Sequence, residues 1–183
     1  MNVTPLVFSC ILYALALVLL RFRLIAAPAC SFLALLVMSF FKSADGYQVL
    51  PINSSIIFGW LCITVLVTVA TWLQPRAVRE TSKGIIYISA GAIVGMAVGL
   101  LGFTFTSWVS ALYAIMIVAT AAGTFFGFLI YVSTPEGRAA RPASGRFFPY
   151  LLAKGFPAAV TVMQGGVVLV LIIMVHYYSI AQP

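Results

Sequence analysis

The sequence predicts an all-α polytopic integral membrane protein: a bundle of about six transmembrane helices with both termini outside. Three observations predict it. Of its 183 residues, 63% are hydrophobic and only 7% are charged. The apolar residues fall in long unbroken runs such as 56 to 73, and the cations sit in the gaps between those runs. So few polar side chains cannot cover the surface of a water-soluble domain. In hydrocarbon the backbone has to satisfy its own N–H and C=O groups, which leaves helices or a closed barrel. A barrel strand alternates apolar and polar residues over about ten positions, and these runs do not alternate.

Each element follows from where the charges interrupt the chain. Met1 to Leu20 contains no Lys or Arg, and Arg21 and Arg23 come after it, so it reads as a retained N-out helix rather than a removable signal. The window from 84 to 135 would run ~78 Å as one helix, more than twice a bilayer core, so it has to turn. Gly102 to Ser107, with its Gly and Thr residues, is the natural place. The expected spans are 3–20, 24–41, 56–73, 85–102, 107–132 and 158–178, all within a single domain covering 1–183. With the N-terminus outside, Arg21, Arg23, Arg76, Arg79, Lys83, Arg138, Arg141, Arg146 and Lys154 lie in the cytoplasm and only Lys42 lies outside. Trp60, Trp108, Tyr177 and Tyr178 then fall near outer ends, and Trp72, Tyr87 and Tyr131 near inner ends, as aromatic belts require. The connection from 133 to 157 is too short for a domain and too rich in Gly, Pro, Ala and Arg for regular structure. Its half from 146 to 154 mixes aromatics and cations and reads as a linker in the inner headgroup plane. The expected location is the inner (plasma) membrane of a bacterium. Membrane lipids, further copies of the chain and other membrane subunits are the candidate partners.

The same sequence excludes much chemistry. Its net charge of +7 comes from loop cations and forms no basic stripe, so no nucleic acid is expected. Cys10, Cys30 and Cys62 lie in apolar segments without metal-ligand spacing and read as packing residues. Asp45, Glu80 and Glu136 lie in separate loops, and His176 lies near the outer end of the last span. These residues assemble neither a catalytic triad nor a metal or haem site, so no enzyme, no metal and no cofactor are expected.

Two patterns remain. Gly91, Gly95 and Gly99 recur every four residues in the fourth span, and Ala119, Gly123 and Gly127 form a matching small-residue row in the fifth. Such rows let helix backbones approach closely. The second pattern is polar: Thr161 and Gln164 share a face of the last span. Thr120 and Thr124 from the fifth span, with Ser89 and Tyr87 from the fourth, lie at similar depth, so the six are the candidate lining of a neutral substrate-binding pocket. The expected function is a passive transport component, either a facilitator or a membrane substrate-binding subunit, for a small neutral or amphiphilic solute. The alternative is a non-catalytic assembly or scaffold subunit of a membrane complex. An open polar interior favours the first and a filled interior the second.

Overall fold

A computed structural model describes residues 4–22, 25–40, 54–79, 83–101, 109–142 and 145–181. The expected turn at 102–107, together with Arg23, Lys42, Asp45, Glu80 and Trp108, lies outside them, as do the side chains of His176, Tyr177 and Tyr178. The described residues form helices and turns, with no strand among them. In order they are α1 (Thr4–Phe22), α2 (Ala26–Ser39), α3 (Ser54–Trp72), the single turn α4 (Arg76–Arg79), α5 (Ile85–Leu101) and α6 (Val109–Ser133). A 3₁₀ turn (Glu136–Ala140) and α7 (Phe147–Tyr150) follow, and a π-helical turn (Leu151–Gly155) leads into α8 (Phe156–Ala181). Three segments are long and apolar enough to cross a membrane by length and composition: Ser54–Trp72, Tyr113–Ser133 and Phe147–Val170. Leu6–Phe22, Ala26–Ser39 and Ile85–Leu101 are apolar but shorter.

The bundle is built around α8, which packs against α1, α2, α3, α5 and α6. Every residue from Pro157 to Val168 is buried. A helix enclosed on all sides has to be apolar or small on every face, and this stretch consists of Ala, Val, Gly and Met apart from Pro157, Thr161 and Gln164. Its two adjacent glycines set how close the neighbours come: a Cβ on Gly165 would overlap the Tyr13 ring of α1, and one on Gly166 would press on Met96 and Met116 of α5 and α6. Val162, Met163, Val167 and Val168 pack with Phe32, Leu35, Met38 and Trp60 in the main core. A second cluster gathers Leu20, Ile85, Ile88, Phe128, Tyr131 and Tyr150 where α1 and α6 end and α5 begins.

The peripheral helices differ in how they attach. Trp60, Thr64, Val67 and Thr71 are the buried residues of α3, spaced alternately four and three apart. That is the narrow seam of a helix touching its neighbours along one line. Trp60 is a core residue, only 7% exposed. Trp72, at the other end, is 66% exposed.

α5 and α6 meet backbone to backbone. A Cβ on Gly91 would overlap the Gly123 carbonyl oxygen, one on Gly95 the Ala119 carbonyl oxygen, and one on Gly127 the Tyr87 carbonyl oxygen. At Gly99 the obstacle is the Cα of Met116, at 2.6 Å. The two small-residue rows thus face each other within one chain.

The connection from 133 to 157 corrects an expectation. Instead of an irregular linker, it contains the 3₁₀ turn and a helix that starts at Phe147, ahead of the expected start of the last span. Pro149 is tolerated there because the first turn of a helix does not need its N–H. Pro157 is accommodated differently. It has no N–H for an i→i−4 bond and its ring crowds the preceding turn, and the chain responds with the π turn just before it, where the Phe156 N–H reaches back to the Leu151 carbonyl.

The close approach of α5 and α6 makes a direct prediction. Gly95→Ala costs about 1–3 kcal/mol, because the methyl has to push the helices apart. Gly59→Ala on α3 meets nothing within 4 Å and stabilises by about 0.5–1 kcal/mol through helix propensity. Thermal unfolding of the two variants in detergent is the check, and a Gly95→Ala protein as stable as Gly59→Ala would contradict the packing.

Candidate functional site

Two buried polar groups lie on the central helix and the turn that leads into it. The first is built on Gln164, whose side chain is fully buried. A primary amide without water needs internal partners, and leaving it unpaired costs several kcal/mol. The Ser31 hydroxyl of α2 donates to Gln164 Oε1 at 2.6 Å, and Gln164 Nε2 donates to Thr64 Oγ1 of α3 at 2.8 Å. Thr64 in turn donates to the Trp60 carbonyl at 2.7 Å. Ser31 also lies 3.1 Å from the Thr161 carbonyl, a second acceptor for the same proton. Ser31 reaches this depth because α2 presents small residues toward α8: Ala27, Ser31 and Ala34 are all buried and share one face. Across the next interface the Ser9 hydroxyl donates to the Ala34 carbonyl at 2.8 Å, and Cys30 Sγ lies 3.4 Å from the Leu12 carbonyl.

This arrangement differs from the expected pocket. Gln164 finds its partners on α2 and α3, not on α5 and α6. Thr161 is beside it, but its hydroxyl is buried without a hydrogen-bond partner among the described residues. Thr120 donates to the Met116 carbonyl and Thr124 to the Thr120 carbonyl, both at 2.7 Å, so each serves its own helix. Ser89 does the same with the Ile85 carbonyl. Tyr87 is half-exposed, with its ring 6.1 Å from that of Tyr131. The structure therefore places Gln164 and Thr161 together and engages the other four candidates elsewhere. Cys10 and Cys62 are exposed on their helices.

The second group was not legible as a site. Lys154, expected as a cytoplasmic loop cation, is fully buried. The π turn carries it inward, where its Nζ donates to the Lys83 carbonyl at 2.9 Å and to the Tyr150 hydroxyl at 3.1 Å. Tyr150 itself donates to the Lys83 carbonyl at 2.8 Å and lies 3.1 Å from the Tyr131 hydroxyl. Counting protons orders the set. Tyr150 has one proton and gives it to Lys83, so Tyr131 is the donor to Tyr150, whose oxygen accepts from both Tyr131 and Lys154. The Lys83 carbonyl uses both lone pairs. It is aimed inward by Gly84, whose φ of 82° belongs to the left-handed region and whose missing side chain leaves room for the Tyr131 ring. The Tyr150 ring stacks on that of Tyr131 at 5.6 Å and on Phe128 at 6.2 Å.

The π turn has one further consequence. The Leu152 carbonyl would bond to the N–H of Pro157 in π geometry, and proline has none. The Thr71 hydroxyl of α3 lies 3.5 Å from that carbonyl while donating to Val67 at 2.7 Å. Among the described residues, no three His, Cys, Asp or Glu side chains gather as a metal would require. Comparison of the chain with protein-family models, with characterised proteins and with solved structures finds no match.

The tyrosine pair makes the order of the second network testable. Tyr150→Phe deletes the hydroxyl at its centre and removes three hydrogen bonds at once, so it lowers stability by about 2–3 kcal/mol. Tyr131→Phe removes one bond at the edge and costs about 1 kcal/mol. Denaturation in detergent measures both, and a Tyr131→Phe loss as large as that of Tyr150→Phe would contradict the placement of Tyr150 at the centre of the network.

Proposed function

We propose that the chain is an integral membrane protein in which α1, α2, α3, α5, α6 and α8 cross the bilayer, and that it works as a non-catalytic assembly subunit of a membrane complex. Large apolar side chains exposed along these helices, among them Phe8 at 53%, Leu66 at 67%, Val94 at 61% and Phe126 at 63%, support the membrane reading, because in water they would be an aggregation surface. Nine of the ten Lys and Arg residues then fall on one side, which orients both termini outward, as in a bacterial inner membrane.

The single observation that carries the subunit reading is Gln164. Among the described residues it is the one amide set deep in the bundle, and it is fully buried and joined to two neighbouring helices. A facilitator has to offer polar groups to a passing solute, whereas here α8 fills the axis and its amide faces protein. A polar group used this way fixes which helices are neighbours and in what register. The chain then contributes a rigid apolar wall and a basic inner end to its complex.

Three experiments test this reading. Single cysteines at Arg21, Arg79 and Arg141 should resist a membrane-impermeant thiol reagent in intact cells with Cys10, Cys30 and Cys62 replaced, while one at Asp45 should label. Labelling of Arg141→Cys from outside would refute the six-span arrangement. The purified chain in liposomes should admit small neutral solutes no faster than empty liposomes, and in mild detergent from its own membranes it should run as a complex of fixed stoichiometry. Solute entry that Gln164→Leu abolishes would restore the transport reading.

A further inference from the structure

Resting on the six-span reading for its side of the membrane, we propose that the end formed by α4, the 3₁₀ turn and α7 is a binding site for the phosphate headgroups of anionic phospholipids. The fold brings together basic segments that are far apart in sequence. Val78, Ala140 and Phe147 share the apolar cluster that includes Tyr150, and α4 packs against α7. Arg76 and Arg79 flank Val78, Arg138 is two residues before Ala140, and Arg146 immediately precedes Phe147. Arg76, Arg138 and Arg146 are exposed, and Arg79 is partly so, with one guanidinium nitrogen 3.1 Å from the Trp72 carbonyl. Glu136 is the acidic residue of the 3₁₀ turn and Glu80, outside the described residues, directly follows Arg79 in sequence, so the four arginines outnumber the acids at this end.

Beside these cations, large apolar side chains are exposed: Trp72 at 66%, Leu73 at 68% and Phe148 at 70%. Guanidinium groups next to apolar side chains match an amphiphile with a phosphate head and acyl tails. The planar guanidinium pairs with two phosphate oxygens at once, and Trp and Phe lie well against the upper part of an acyl chain. A soluble anion would use the cations and leave Trp72, Leu73 and Phe148 without a role. Basic surfaces at the cytoplasmic side of helix bundles select anionic lipids by this chemistry.

The full chain, placed in nanodiscs of equimolar phosphatidylglycerol and phosphatidylcholine and then extracted in mild detergent, should retain phosphatidylglycerol preferentially. That preference should weaken as salt rises, because the contacts are ionic and exposed. Combining Arg76→Gln, Arg79→Gln and Arg138→Gln should lower the enrichment on the order of tenfold, and the matching triple Lys variant should keep most of it. No enrichment by the wild-type chain, enrichment indifferent to salt, or equal enrichment by the triple Gln variant would each overturn the proposal. So would full displacement by millimolar inorganic phosphate, which would mark a soluble-anion site. Thiol labelling of Arg141→Cys in intact cells separates the two readings: labelling from outside, with lipid enrichment in nanodiscs intact, overturns the topology and leaves the lipid site standing.

Discussion

A primary amide shut away from water has to be hydrogen-bonded by the protein itself, and the arrangement of this bundle follows from how Gln164 meets that demand. Its two ends point to different helices: Oε1 to Ser31 of α2 and Nε2 to Thr64 of α3. Rotating or sliding α8 relative to either helix would break one bond and leave a buried polar atom unmet. Apolar packing alone gives little such direction, since Val and Met faces accept neighbours in several registers. The amide supplies register, and the valines and methionines around it supply most of the contact.

The demand weighs most on α3. The buried residues of that helix are Trp60, Thr64, Val67 and Thr71, and two of those four are hydroxyls facing α8 or the turn before it. α5 and α6 represent the opposite case, held by glycine rows that bring backbones into contact. One chain thus uses both means of joining helices where apolar surface is plentiful: close backbone approach through small residues, and a few well-placed polar groups.

The helices were readable because long apolar runs leave few alternatives, and the facing rows at Gly91, Gly95 and Gly99 and at Ala119, Gly123 and Gly127 were readable because a four-residue period has one geometric meaning on a helix. The partners of Gln164 were not. Depth along a helix says which residues lie at the same level but not which helix is adjacent, so Thr124 and Ser31 were equally placed until the packing order was known. The row Ala27, Ser31, Ala34 was the available signal, a small-residue face with a hydroxyl in it. Lys154 was misread because a lysine beside aromatics looks like the edge of a span. Pro157, three residues later, carried the missing information, since accommodating it produces the π turn that carries Lys154 inward.

The most direct test of the account is a double-mutant cycle between α8 and α3. Gln164→Leu and Thr64→Val, made singly and together, are read by reversible unfolding in detergent, with Thr124→Val as the reference partner. If the amide keys α3 to α8, the Gln164 and Thr64 substitutions are non-additive, with a coupling of about 0.5–2 kcal/mol, and the Gln164 and Thr124 substitutions are additive within about 0.3 kcal/mol. Additivity at Thr64 together with coupling at Thr124 would contradict the arrangement and place Gln164 against α6 instead.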